Sequence, residues 1–346
     1  MNPLVSQLDY PLGDTIPATG AVHQIVAGLR WLRMPLPFAL DHINLWLLRD
    51  GDGWSVVDSG VAGDATRAAW ETIFETGLDG LPIRRVFATH CHPDHIGMAD
   101  WLCRRWDAPL WTTTGEYAFA RMMSAALPGV DGSAALPHFQ RHGLREPEML
   151  EKMASRKNYY PTLVPSVPAA YIRIQDGQLV AIGDHRWRVI TGFGHAPEHA
   201  SLYCDALNVL IAGDMVLPRI STNVSVFAVE PEANSLTLYL DSLGKFVDLP
   251  NDVLVLPSHG KPFQGLHTRI DQLRQHHAER LAEVVHACRD WQSAADIVPM
   301  MFKRPLDAHQ LGFALGEALA HLHKLWHDGI VRRETGADGI IRFRVA

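Results

Sequence analysis

Thr89-His90-Cys91-His92-Pro93-Asp94-His95 places three histidines and one aspartate within six positions. His90 and His92 alternate, so on an extended segment both project to the same side. Asp94 and His95 sit where the chain turns into a helix, read over 94–106 from its periodic apolar residues. Imidazole and carboxylate together are the donors that borderline cations such as zinc or iron prefer. A strand (86–88) that delivers such a cluster into a helix start points to a layered α/β architecture.

The composition permits that architecture and excludes others. The chain has 346 residues, 47% hydrophobic and 20% charged, enough for a sizeable core and about two domains. That balance rules out disorder as the main state. No run of about 18 apolar residues occurs, so no membrane-spanning helix is expected. The start, MNPLVSQLDYPLGD, has no basic stretch followed by an apolar one. The expected compartment is the cytoplasm, with no membrane partner. Cys91, Cys103, Cys204 and Cys288 are far apart, which excludes a disulfide scaffold or a thiolate zinc knuckle. With a net charge of −7, nucleic acid is not the expected partner.

Strand-like runs 43–48 and 54–58 flank the turn Asp50-Gly51-Asp52-Gly53 and read as a hairpin. A helix is expected over 64–76. Between about 115 and 166, methionines, prolines and Tyr159-Tyr160 mark a helical insertion. Strand patterns resume at 171–174, 179–182, 187–190, 202–204, 209–212 and 253–256. From about 269 the pattern becomes helical (272–294, 307–312, 316–328) and ends in a hairpin. The expected division is 1–268 and 269–346.

Four further polar clusters end strands: Asp58-Ser59-Gly60, Gly194-His195-Ala196-Pro197-Glu198-His199, Ala212-Gly213-Asp214 and Pro257-Ser258-His259-Gly260. Strand ends are where α/β folds gather functional loops. With the ordered motifs VVDSG, THCHPDH, GHAPEH, AGD and SHG, the chain resembles the metallo-β-lactamase-fold hydrolase superfamily in its glyoxalase II-like branch, over about 20–265. The remainder resembles the winged-helix-like C-terminal domain of the family's β-lactamase-like protein 2 members. The resemblance implies an αββα sandwich with a dinuclear metal site at one edge. His90, His92 and His195 would bind one cation. Asp94, His95 and His259 would bind the second, and Asp214 would bridge. Asp58 would orient a ligand. His199 matches a position that usually binds no metal. Glu198 replaces the glycine common there, which puts the geometry of that loop in question.

Two divalent cations, zinc first with iron or manganese suiting the same donors, would hold a bridging hydroxide that attacks a carbonyl. Asp94 and Asp214 are the catalytic carboxylates of this reading, with Asp94 also orienting the water. The expected activity is cleavage of a small ester, thioester or lactone. A metal-dependent nuclease or phosphodiesterase is one alternative, and a mononuclear iron, persulfide dioxygenase-like oxidoreductase is another. Against the nuclease, residues 271–346 carry ten basic and ten acidic side chains, whereas phosphate-gripping winged helices are basic. Against the dioxygenase, His95 and His259 complete a second site.

Cys91, between two ligands, reads as a small buried residue pointing away from the cations. His42 faces either the pocket or the surface, and His323 with His327 reads as a solvated helix face. Arg141, Tyr159, Tyr160 and Asn223 are candidate substrate contacts, and Arg156 and Lys157 share the insertion's basic character. The insertion and the C-terminal segment also offer surface for a homodimer.

Overall fold

The computed structural model describes residues 5–38, 40–130, 132–154, 159–303, 305–306 and 308–346. Arg156 and Lys157 lie outside the described residues.

Seven strands form the first sheet in chain order: β1 (Val22–Val26), β2 (Leu29–Pro35), β3 (His42–Asp50), β4 (Gly53–Val57), β5 (Ile83–Phe87), β6 (Leu110–Thr112) and β7 (Ile172–Arg173). The expected hairpin is present, with Trp46 opposite Val57 and Asp50 opposite Gly53. The second sheet runs β12-β11-β10-β9-β8, from β8 (Leu179–Ile182), β9 (His185–Gly192), β10 (His199–Cys204), β11 (Val209–Gly213) and β12 (Leu254–Pro257).

Period-two alternation sorts each strand between two cores. On β2 and β3, Leu29, Trp31, Trp46 and Leu48 face the second sheet, meeting Trp187, Val189, Leu202, Val209 and Ile211. Leu32, Met34, Ile43, Leu45 and Leu47 point the other way. There they pack against α1 (Asp64–Thr76) and the pair α2 (Pro93–Ile96) and α3 (Ala99–Trp106). The outer face of the second sheet carries Ile190, Leu210, Ala212 and Val255. This is the αββα sandwich of the metallo-β-lactamase fold.

A single helix over 94–106 is expected, but the structure breaks it at Gly97-Met98. The Met98 amide donates to Gly60 O at 3.0 Å and Ser59 Oγ at 3.1 Å, not to the preceding helical turn. A Cβ on Gly97 would stand 2.8 Å from Gly60 O. The Asp58-Ser59-Gly60 turn thus wedges into the helix start.

The insertion holds α4 (Thr114–Ser124), α5 (Ala135–Arg141), α6 (Pro147–Ala154) and α7 (Tyr159–Leu163). After β11 come α8 (Ser235–Gly244), α9 (Leu266–Ala287), α10 (Ala294–Met301), α11 (Ala308–His327) and the hairpin β13 (Val331–Thr335) with β14 (Ile341–Val345). The sequence pattern misplaces these helices. The first ends at Ala287, and Ala294 opens α10 through a capping box in which Ser293 and Asp296 bond reciprocally. The expected break between 312 and 316 is continuous helix. Gly316 serves close approach instead: its carbonyl accepts from Val226 N at 3.1 Å, and a Cβ would meet Ser225 Oγ at 2.7 Å. The buried side chains of α9, α10, α11, Val331 and Phe343 belong to the same core as Leu210, Ala212 and Leu236. The hairpin arginines are engaged locally. Arg332 and Arg344 lie over Trp291, Arg333 pairs with Glu232 and Arg342 with Asp338.

His323 is fully buried, with Nδ1 donating to Ala233 O at 3.1 Å, so the solvated-face reading fails for it. Only His327 of that pair is exposed. Burial pushes His142 and His277 down to about 3 and His321 and His323 to about 4. In the unfolded chain these imidazoles take up protons near 6.5, so the unfolded state binds more protons between the two values. Stability of the metal-free protein is therefore expected to fall as pH drops from about 6.5 to 4, by roughly 1 kcal/mol per histidine per pH unit. Urea midpoints across that range measure it, and His321→Gln should flatten the slope. A pH-independent midpoint contradicts this account.

Candidate metal centre

Five strand ends converge at one edge of the sandwich. β4 delivers Asp58, and β5 runs into Thr89-His90. The loops after β9, β11 and β12 deliver His195, Asp214 and His259. Two groups of donor atoms result, each gathered within 4.8 Å: His90, His92, His195 and Asp214, then Asp94, His95 and His259.

In the first group His90 Nε2 lies 2.9 Å from His92 Nδ1 and 3.2 Å from His195 Nε2. Asp214 Oδ2 is 3.4 Å from His195 Nε2. In the second, Asp94 Oδ2 is 3.6 Å from His95 Nε2 and 3.4 Å from His259 Nε2. The other Asp214 oxygen, Oδ1, faces that second group, at 3.7 Å from His95 Nε2 and 3.6 Å from His259 Nε2. Donors at about 2.0–2.1 Å from a tetrahedral cation are roughly 3.3 Å apart, which these spacings bracket. His95 Nε2 and Asp214 Oδ1 are buried without any hydrogen-bond partner, a costly state unless a cation takes up those lone pairs. The residues present therefore fit two divalent cations.

Partners behind the ligands set which ring nitrogen is free. His195 Nδ1 donates to Asn223 O at 2.7 Å and His259 Nδ1 to His42 O at 2.8 Å. His95 Nδ1 donates to Asp58 Oδ2 at 2.7 Å. Each leaves Nε2 turned toward the centre. Asp58 also accepts from the Thr89 amide at 2.8 Å and from Thr89 Oγ1. It holds a left-handed backbone, φ 64°, a strained state that persists where surrounding bonds over-determine it.

Charge at the centre is strongly polarised. Burial and the neighbouring imidazoles of His95, His92 and His195 drive His90 well below the usual histidine range. Burial, then His195, takes His92 to about 3. Burial disfavours ionised Asp94, but His95 and His259 outweigh it and hold the carboxyl at about 2. Asp214 is held well below its ordinary value by His259 and His95 against the same burial. Burial opposes a charged His95, yet Asp58, Asp94 and Asp214 push it up to about 10. With no cation present, the acids draw protons onto His95. A dication replaces those protons in the same field.

Several supporting residues went unread in the sequence. Glu116, fully buried on α4, accepts from Cys91 N at 2.7 Å and from Glu198 N at 2.5 Å. It ties the His90–His92 loop to the His195 loop. Glu198 returns the contact, its Oε2 accepting from Gly115 N at 2.9 Å. The glutamate in the expected glycine's place is thus part of the brace. Asn44 bonds Pro257 O and Gly260 O at 2.8 Å each and accepts from Trp31 Nε1 at 2.9 Å, joining the sheets beneath His259. A buried asparagine in the run Ile43-Asn44-Leu45-Trp46 was the readable signal for it. Glu116 had none. His199 Nε2 accepts the Asp214 amide at 3.1 Å, and Gly213 leaves it room, since a Cβ there would stand 2.2 Å from that nitrogen.

The four candidate substrate contacts divide. Tyr160 donates to Cys91 O at 2.5 Å, and Asn223 acts through its carbonyl on His195, so both brace candidate donors. Tyr159 is half-buried at the start of α7. Arg141 is exposed at the end of α5, beside His138 and His142. His42 does both things weighed for it, lying half-buried against His259 while its Nε2 accepts from Gly260 N at 3.0 Å. Cys91 is buried.

Comparison with known proteins agrees with this geometry. Residues 39–259 match the family model described as the metallo-beta-lactamase superfamily, and 281–346 match that of the metallo-beta-lactamase-like C-terminal domain. A probable metallo-hydrolase of Bacillus subtilis (strain 168) is 23% identical over 313 residues, covering 85% of this chain and 91% of that protein. A beta-lactamase domain protein from Burkholderia ambifaria superposes with TM-score 0.95 at 56% identity, covering all of both chains. A metallo-beta-lactamase family protein from Thermus thermophilus gives TM-score 0.79 at 28% identity, covering 93% of this chain and all of that one.

Glu116→Gln puts an amide donor against one of two backbone N–H groups. Metal retention after dialysis against a weak chelator is expected to fall at least about tenfold, as for other partners behind ligands. Unchanged metal content in the folded variant contradicts the bracing role.

Proposed function

The chain belongs to the metallo-beta-lactamase superfamily, and on that premise we propose that it is a hydrolase of the glyoxalase II-like kind, holding two divalent cations, zinc by first preference, and cleaving a small ester, thioester or lactone. The observation that carries the reading is Asp214, whose two oxygens face the two donor groups separately. His90, His92 and His195 would hold one cation, Asp94, His95 and His259 the other. Such cations, when bound, act as Lewis acids on a carbonyl and bring the pKa of water toward neutrality.

The chain's own residues supply the rest. Asp94 is the more open carboxylate, its side chain 17% exposed against 10% for Asp214. Held ionised, it can accept the proton of attacking water and orient it. His95, fully buried, is fixed by Asp58 and cannot rotate away. The buried imidazoles exclude bulk water on the sheet side, which strengthens the field acting on the reacting carbonyl.

Protein purified without chelator is expected to carry two metals per chain by plasma emission spectrometry. The double variant His90→Ala, His92→Ala should lose metal and thioester turnover together. A fully metallated double variant sinks the proposal. So does a thioester, lactone and ester panel with no turnover above metal-free protein.

A further inference from the structure

Arg33 and Asn44 are directly opposed on β2 and β3 and so share one face of the sheet. That face also carries Trp31, His42 and Trp46, and Asn44 holds the His259 loop on it. Arg33 therefore emerges from the inter-sheet side, one strand from His42. Its guanidinium is half-buried, and Nε is fully covered with no hydrogen-bond partner. Among the described residues it makes no ion pair. The nearest acid is Asp41, whose carboxylate is already held by His42 Nδ1 at 2.6 Å.

A cavity of about 180 Å³ opens over this group, lined by Pro17, Thr19, Arg33, Asp41 and His42 among others. Its His42 wall borders the outer edge of His259. The His42 carbonyl orients His259, and its ring receives the Gly260 amide. β2 stands two strands from β4, whose last residue, Val57, precedes Asp58. At about 4.8 Å per strand this puts the Arg33 backbone roughly 10 Å across the sheet from the β4 end, a gap that the arginine side chain and a short acyl chain together can span.

A covered guanidinium Nε–H without an acceptor is unstable relative to one that is paired. Its fork geometry selects a carboxylate, which two parallel N–H groups engage. Burial weakens its charged form, partly offset by Asp41, but arginine stays protonated throughout the working range.

We propose that Arg33 and the cavity beside His42 form a subsite for a carboxylate at the far end of the substrate, so that the protein prefers an acyl group bearing a second, anionic terminus. This rests on the hydrolase reading, and the test separates the two.

Succinyl and butyryl N-acetylcysteamine thioesters differ in that terminus. With the metal-loaded protein, Arg33→Met is expected to raise KM for the succinyl thioester by about 10- to 100-fold. Its kcat, and both constants for the butyryl thioester, should stay within about twofold. Arg33→Lys, which keeps the charge but loses the fork, should fall between. Equal effects on both thioesters, or none on either, overturn the subsite. Succinate titration by calorimetry needs no turnover: wild-type protein should bind and Arg33→Met should not. If neither thioester is cleaved, the hydrolase reading fails and the titration alone decides the subsite. Succinate binding that is absent, or equal in both proteins, overturns it. Melting curves confirm folding of Arg33→Met, and Arg33→Lys carries the comparison if that variant does not fold.

Discussion

Three aspartates and several imidazoles buried side by side are the constraint on which this structure is built. Asp58 and Asp214 are buried, and Asp94 is largely so, within one edge of the sandwich. Like charges so placed destabilise one another unless protons or cations lie between them. The raised His95 and the unpartnered Asp214 Oδ1 are two signs of the same demand. A cation meets it only if donors from both sheets stay aligned to a few tenths of an ångström.

That alignment explains features that look incidental when taken singly. Asn44 binds the first sheet to the β12 end, Glu116 binds the two histidine loops, and Asp58 keeps a strained backbone to hold Thr89 and His95 together. Tyr160 reaches from the insertion to the carbonyl between His90 and His92, so the inserted helices steady the loop that bears these candidate donors. The C-terminal helices share a core with the outer face of the second sheet. Their packing therefore bears on β11, which carries Asp214.

Much of the fold could be read from patterns. The hairpin at Asp50–Gly53, the helix over 64–76 and the strand ends bearing Asp58, His195, Asp214 and His259 follow from period-two and period-3.6 spacing. Misplaced elements share one physical origin. Gly97 and Gly316 carry the same local signal, yet one marks a break and the other sits within a helix. What differs is the neighbour that approaches each: the Ser59-Gly60 turn in one case, the Ser225-Val226 segment in the other. Likewise, His323 and His327 have equivalent spacing and bond adjacent carbonyls, Ala233 O and Glu232 O, but His142 and Phe343 pack over the first.

The sequence by itself determined the donor types, because a cation of this class accepts few side chains and the motif concentrates them. It also determined that they sit at strand ends, because alternation and turn residues are local properties. Only the tertiary structure decided how they divide. The two Asp214 oxygens face different groups where β11 pairs between β10 and β12, its register against β12 shifting between Ile211 and Gly213, and where His199 fixes the Asp214 amide. The roles of Glu116 and Asn44 were decided there too. A buried carboxylate or amide takes its meaning from the groups packed against it, and those come from distant parts of the chain.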